Sequence, residues 1–319
     1  MTEITSSLTP APRSLEGQPE GTTFCGEVAV IGAPNAGKST LVNALVGAKV
    51  AIVSAKVQTT RTRLIGIAIE GNAQLLLVDT PGIFRPRRRL DRAMVKAAWE
   101  GAQGADVICL IVDAKRGITE EVDSILENLA QDQSGAPRFL VLNKVDITPK
   151  EKLFELTLKL HERVTFAETF MVAAQQGDGV ADVKKALARL MPESPWHYPE
   201  DQVADVTQRL MAAEITREQI YHQLHDELPY AATVETEKWE ERRDGSAAIN
   251  QVIYVERETQ KAIVLGAKGA RIKQLGAAAR TEMEANFGRR IHLFLFVKVK
   301  PDWAEDRSVY KDIGLDWVE

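Results

Sequence analysis

The chain has 319 residues, 45% of them hydrophobic and 27% charged, a net charge of −5 and only two cysteines. That length favours two domains over one, and the composition excludes a disordered, collagen-like, coiled-coil or mucin-like chain. Cys25 and Cys109 both sit in apolar runs, and no CxxC or Cys/His zinc spacing occurs, so a disulfide framework is excluded and a reducing, cytosolic compartment is expected.

Residues 1–22, with Pro10, Pro12 and Pro19 and no apolar centre, read as a disordered tail and not as a signal peptide. No run approaches the roughly 18 apolar residues of a membrane span, so no transmembrane segment is expected and any membrane contact is peripheral. From 23 to 191 apolar runs alternate with helical patterns: Val28–Ile31, Gln74–Val78, Val107–Val112, Phe139–Leu142 and Thr169–Val172. Continuous apolar strands separated by crossover helices, such as 119–130 and 150–163, predict an α/β domain with a mostly parallel sheet. The alternating stretch Thr62–Glu70 predicts an edge strand. Pro192, Pro195 and Pro199 then mark a stiff linker over 192–200. Beyond it, 201–319 predicts a small α+β domain with antiparallel strands: a long helix over 201–227, strands near 231–240 and 247–256, helices near 258–264 and 270–286, and a strand over 289–299. No internal repeat is found.

Gly32-Ala33-Pro34-Asn35-Ala36-Gly37-Lys38-Ser39 fits G-x-x-x-x-G-K-[ST] between the first strand and a helix that continues through Thr40. Its backbone N–H groups face phosphates, Lys38 reaches the β and γ oxygens, and Ser39 holds magnesium. Asp79-Thr80-Pro81-Gly82 ends a later strand on the same sheet edge, with Asp79 behind the magnesium and Gly82 offering an unobstructed N–H to a γ-phosphate. Alone, that tetrapeptide serves equally well as a β-turn. Asn143-Lys144-Val145-Asp146 ends another strand. The Asp146 carboxylate matches the N1–H and N2–H2 donors of guanine, which adenine lacks, so GTP and GDP are preferred to adenine nucleotides. Lys144 is expected along the base plane and Asn143 as a tie to the phosphate loop.

These motifs resemble those of the Era family of bacterial ribosome-assembly GTPases, over residues 24–318. The form of the phosphate loop, Gln58-Thr59-Thr60-Arg61, Asp-Thr-Pro-Gly, Asn-Lys-x-Asp and Tyr198-Pro199-Glu200-Asp201-Gln202 carry the likeness. It implies that Thr60, before Thr59, meets magnesium and the γ-phosphate, and that Lys38, Thr60 and Gly82 carry hydrolysis. It places Ile83 where Ras-like enzymes have a water-orienting glutamine, so intrinsic turnover is expected to be slow. Asn35 either helps hold potassium, as in related GTPases, or is a turn residue favoured after proline. The last guanine loop is Ala173-Ala174-Gln175 instead of Ser-Ala; Ala174 N–H can still meet guanine O6, but a bracing hydroxyl is missing.

The second domain contains Gly266-Ala267-Lys268-Gly269 between two predicted helices. Residues 251–300 hold ten Lys and Arg against four Asp and Glu, while 201–250 hold five against eleven. A Gly-x-x-Gly turn between helices in a basic segment is the signature of a KH module, here of type II by its helix-strand-strand-helix-helix-strand order. Lys268, Arg271 and Lys273 are the expected phosphate contacts. The aliphatic face of 291–300 is expected on the helices; Phe294 and Phe296 on the other face either contact bases or pack, and packing is the expectation. His222 and His225 lack a third metal ligand and read as solvated, and Trp303 and Trp317 read as packing anchors. Arg85-Pro86-Arg87-Arg88-Arg89 is either a solvated run or a contact for RNA phosphates.

By resemblance, the partners are the 3′ region of 16S ribosomal RNA and the 30S subunit, and the protein is a cytoplasmic monomer with an optional peripheral place at the inner membrane. Two other readings are a GTPase coupled to tRNA modification or membrane transport, and an RNA-binding adaptor with an idle nucleotide pocket. The first lacks a supporting motif. Against the second stand Ser39, Asp79 and a switch threonine.

Overall fold

The predicted apolar runs all become strands of one sheet. In the computed structural model, which describes residues 21–54, 56, 59–61, 64–307, 310 and 314–318, the elements follow in chain order. They are β1 (Phe24–Gly32), α1 (Lys38–Val46), β2 (Leu64–Glu70), β3 (Ala73–Asp79), α2 (Arg89–Gln103), β4 (Val107–Asp113), α3 (Glu120–Gln131), β5 (Arg138–Asn143), α4 (Lys150–His161), β6 (Glu168–Val172), α5 (Val180–Ala188) and β7 (Ala204–Asp205). There follow α6 (Gln208–Gln223), β8 (Ala232–Glu241), β9 (Ala247–Val255), α7 (Glu258–Leu265), α8 (Ala270–Phe287) and β10 (Ile291–Val299). Nearly all of the tail expected over 1–22, and Gln58 of the predicted switch, lie outside the described residues.

The chain divides into two compact units, the first containing residues up to 51 and 60–205, the second 52–59 and 206–317. In the first unit the strand order is β6-β5-β4-β1-β3-β2-β7. β6, β5, β4, β1 and β3 run parallel; beyond them β2 pairs antiparallel with β3, and β7 antiparallel with β2. β3 and β4 are buried along their whole length because helices cover both faces, which is why their sequences are apolar without alternation. One consequence decides where function sits: β1, β3, β4 and β5 all end on the same edge, so the loops after them converge. The helices start where the sequence can satisfy their first amides. Thr119 caps α3, accepting the Val122 N–H at 3.4 Å, and Glu120, Glu121 and Asp123 place negative charge in its first turn.

Two expectations about this sheet need correction. β2 is not the outermost strand, because Ala204 and Asp205 pair with Gly66 and Ile65. The helix expected over 201–227 is accordingly shorter and begins at Gln208, capped by Thr207. Buried Gln74 explains the capture of the preceding segment. Its side-chain oxygen accepts the His197 and Tyr198 N–H groups at 2.9 and 3.1 Å, while its amide donates to Tyr198 O at 2.8 Å. The proline-bearing stretch 192–200 is thereby fastened along the first unit's sheet, with Trp196 and Tyr198 against Cys25, Ile67 and Leu76.

The second unit has a sheet of order β10-β9-β8. β8 and β9 are antiparallel, but β10 runs parallel to β9, which corrects the expected antiparallel arrangement. Its core joins Ile220 and Leu224 of α6 and its C-cap, Ile253 and Val255 of β9, Val264 of α7 and Leu275 of α8, with Leu295, Val297 and Val299 packed against them. The same unit includes Ile52–Thr59, whose Val53 N–H donates to the buried Glu218 carboxylate at 2.7 Å. Trp303 is buried as expected, its indole N–H donating to Ala231 O at 2.9 Å.

Candidate functional site

The loop from Gly32 to Ser39 joins β1 to α1. Gly37 holds φ 96°, and a Cβ there would lie 2.1 Å from Asn143 Nδ2, so the position excludes every side chain. Lys38 opens α1 and is buried, its Nζ donating to Gly32 O at 3.1 Å and Ala33 O at 3.0 Å. Burial pulls its pKa down to about 8, and the Asp79 carboxylate opposes that shift. A phosphate placed in the loop would hold the proton on this ammonium group. Ala33, Pro34 and Ala36 are buried, whereas Asn35, Ser39 and Thr40 are half-buried along the loop and the first turn of α1.

Asp79, fully buried at the end of β3, gathers two hydroxyls. Its Oδ2 accepts from Ser39 Oγ at 2.7 Å and from Thr60 Oγ1 at 3.3 Å, and the two hydroxyl oxygens lie 3.0 Å apart. Its Oδ1 has no hydrogen-bond partner among the described residues. Burial pushes this carboxyl's pKa up, while Ser39, Lys38 and Thr60 pull it down. A buried carboxylate with one bare oxygen beside two hydroxyls is a set of hard oxygen donors, and it fits a magnesium ion completed by water and phosphate oxygens. Thr59 does not join this group; its hydroxyl donates to Lys56 O at 2.8 Å. Thr80 is spent on Val30 O at 2.8 Å, and Pro81 and Gly82 are buried beside the loop. Ile83 donates its N–H to Gly32 O at 3.1 Å and turns its side chain into the core, so nothing at this position can orient water.

Asn143 ties three loops together. Its amide donates to Ala36 O at 2.9 Å, and its oxygen accepts the N–H groups of Lys144 and Ala174 at 2.9 and 3.1 Å. The Ala174 N–H expected to face a purine oxygen is thus engaged by Asn143. Lys144 has φ 65° and sends Nζ to Asn35 O at 2.8 Å and Asp113 Oδ2 at 2.6 Å. Sequence reading missed Asp113, although a carboxylate ending the apolar run Val107–Val112 on this edge was a usable signal. Asp146 is exposed, and its carboxylate accepts from Gln176 Nε2 at 3.2 Å, so Gln176, and not only Gln175, belongs to this loop. The brace absent from Ala173 is supplied by backbone: Ala173 N–H donates to Asp178 O at 3.0 Å, and the N–H groups of Gln176 and Gly177 both donate to Ala173 O at 2.9 Å.

In the second unit, Gly266 holds φ 70° and a Cβ there would meet Arg271 Cβ at 2.6 Å. Ala267, Lys268 and Gly269 form a short turn between α7 and α8, with Lys268 at φ 51°. Lys268 and Lys273 are exposed, whereas Arg271 donates to Ile263 O at 3.1 Å. α8 and β10 enclose a groove of about 460 Å3 whose walls include Lys273, Gly276 and Arg280 on one side and Phe294 and Phe296 on the other. The two phenylalanines were expected to pack; instead they are 47% and 51% exposed, because the groove stands in front of them.

No helix among the described residues is long and apolar enough to cross a membrane. Residues 27–144 match the model of the 50S ribosome-binding GTPase family, and residues 227–304 match the KH domain. The chain is 57% identical over 295 residues to the GTPase Era of Afipia carboxidovorans, covering 92% of this chain and 95% of that protein. To the GTPase Era of Bradyrhizobium diazoefficiens it is 56% identical over 301 residues, 94% of this chain and 97% of the relative. Among solved structures it is similar to Era in complex with MgGDPNP and nucleotides 1506–1542 of 16S ribosomal RNA, with TM-score 0.86, 35% identity and coverage of 92% and 99%. A variant of Aquifex aeolicus Era bound to GDP and AlF4− matches with the same scores. With a nucleotide-loop edge on one unit, a Gly-x-x-Gly turn on the other and relatives of this identity along nearly its whole length, the chain belongs to the Era family of GTPases.

Proposed function

We propose that this GTPase is a switch on ribosomal RNA: it binds GTP and GDP with magnesium in the first unit, holds the 3′ region of 16S ribosomal RNA in the groove of the second, and serves 30S subunit assembly. The observation that carries the nucleotide half is the meeting of Ser39, Thr60 and the bare oxygen of Asp79 beside buried Lys38. The relative with MgGDPNP and an RNA segment supports both halves.

Each group then has a role. Backbone N–H groups from Ala33 to Ser39 and Thr40 surround the phosphates, and Lys38 neutralises the β and γ oxygens. Ser39 and Thr60 would hold magnesium with Asp79 behind them, and that ion would supply positive charge against the oxygens that become more negative on cleavage. Gly82 presents its N–H to the γ-phosphate. Ile83 contributes no acid, base or water-orienting group, so hydrolysis rests on charge stabilisation and is slow without a partner. Asp146 accepts two donors from guanine, Asn143 fixes its loop to the phosphate loop, and the backbone of Ala173, Ala174 and Gln175 closes over the base. Potassium beside Asn35 is part of this reading. In the second unit Lys268 and Lys273 take phosphates along the Gly266–Gly269 turn, with Arg271 shaping it, and Phe294 and Phe296 offer ring faces to bases.

The test is Asp146→Asn. The amide keeps one acceptor oxygen for one guanine donor but turns an N–H on the other, so one bond of about 1.5–3 kcal/mol to a charged acceptor is lost and the other is weakened, and GTP affinity should fall by roughly two orders of magnitude. Xanthosine triphosphate, which offers an acceptor there, should gain. Calorimetry that finds GTP unaffected removes the guanine reading. In the same wild-type preparation, equal phosphate release in sodium and potassium removes the Asn35 site.

A further inference from the structure

The segment from Ile83 into the first turn of α2 is a basic surface that the nucleotide site leaves unused. It carries Arg85, Arg87, Arg88, Arg89 and Arg92 against a single acid, Asp91. Arg85, Arg87, Arg88 and Arg92 are exposed, and none of the first three forms an ion pair among the described residues. Asp91 is buried, and its Oδ2 accepts the backbone N–H groups of Arg87 and Arg88 at 3.0 Å each. These two bonds pin the backbone at the start of a 15-residue helix, so the arginines project from a fixed base and the positive end of α2 adds to their field. The Ile83 N–H to Gly32 O bond fastens the other end to the phosphate loop.

The chemistry of the surface narrows its occupant. None of the large exposed apolar side chains of the described residues falls between 81 and 103, and Leu90 is buried. A protein partner of ordinary affinity needs a buried apolar or aromatic anchor, and a membrane helix needs an apolar face to insert; neither is offered here. The positive side chains from 85 to 92 are all arginine, whose planar fork matches phosphate oxygens in pairs. No exposed aromatic stands among them to stack a base. We propose that Arg85, Arg87 and Arg88 form a second RNA-binding surface, on the GTPase unit, which grips the phosphodiester backbone without reading sequence. The inference rests on the reading of this protein as an RNA binder and adds a contact outside the second unit's Gly266–Gly269 turn and its groove.

Full-length Arg85→Gln/Arg87→Gln/Arg88→Gln protein, loaded with a non-hydrolysable GTP analogue, is titrated against two RNAs over a range of salt. One is the 1506–1542 segment of 16S ribosomal RNA; the other is a single strand of about eight nucleotides from its 3′ end, enough to fill a groove that holds about four. For the long RNA the slope of log K against log salt should become shallower by roughly two, at about 0.7–0.9 per lost phosphate contact, with at least a tenfold loss of affinity. The short strand should bind as before. An unchanged slope with the long RNA, while wild type binds both, overturns the arginine surface and leaves the groove intact. If wild type binds neither RNA, the RNA reading fails and this surface with it. Vesicles rich in phosphatidylserine, held by wild type and lost by the variant while the RNA slope stays the same, would reassign the surface to lipid. GDP affinity equal to wild type certifies the variant's fold; should it be lost, the three single variants, each expected to lower the slope by roughly 0.8, carry the test.

Discussion

The two sites are built on opposite plans. At the nucleotide loops, Lys38, Asp79, Thr80 and Asn143 are buried and cross-linked to one another's loops, so donors and acceptors stand fixed before any ligand arrives. At the turn and the groove of the second unit, Lys268 and Lys273 stand exposed and Phe294 and Phe296 half-exposed. The first plan suits a ligand held at fixed geometry, since buried groups that are already cross-linked need no rearrangement to meet it. The second suits a flexible polyanion, where affinity comes from charge and stacking and falls with salt.

Substitution should therefore cost most inside the nucleotide loops and less at the exposed charges of the second unit. Gly37→Ala forces a side chain into the Asn143 amide at positive φ. At about 1–2 kcal/mol for the backbone and about 1–3 kcal/mol for the overlap, nucleotide affinity should fall roughly 100-fold by calorimetry. A smaller change is expected from Lys268→Gln/Lys273→Gln, which removes two exposed charges: the salt slope for a short RNA strand should drop by about 1.4, at about 0.7 per contact, with GDP binding untouched. A changed GDP affinity there would contradict the separation of the sites. The smallest effect belongs to Ala173→Ser. Because backbone bonds already close that loop, the added hydroxyl should tighten GDP by no more than about threefold, less than one ordinary hydrogen bond; weaker binding would mean that the buried position has no room.

How much of this was legible depends on whether a residue's partners lie near it in sequence or across the fold. Gly37, Lys38 and Ser39 announce themselves because one loop needs all of them at fixed spacing. Asp113 and Gln176 do not, because each acts on a residue 31 or 30 positions away, Lys144 and Asp146, and no motif spacing links the pair. Gln74 is the same case: it looked like the polar start of a strand, yet it is the anchor that draws 196–198 onto the sheet and shortens the next helix. Phe294 and Phe296 misled in the other direction, since alternation assigns a face to a side chain but not what stands in front of that face.

By itself the sequence determined the alternation of strands and helices, the phosphate loop, the Asn-Lys-x-Asp loop proposed to select guanine and the Gly-x-x-Gly turn, because backbone geometry and hydrogen-bond matching impose these at short range. Only the tertiary structure decided that Asn143 takes the Ala174 amide, that Asp113 meets Lys144, that β10 lies parallel to β9, and that a groove opens before the phenylalanines. Those outcomes depend on which distant groups burial brings within about 3 Å of one another, a distance that spacing along the chain does not encode.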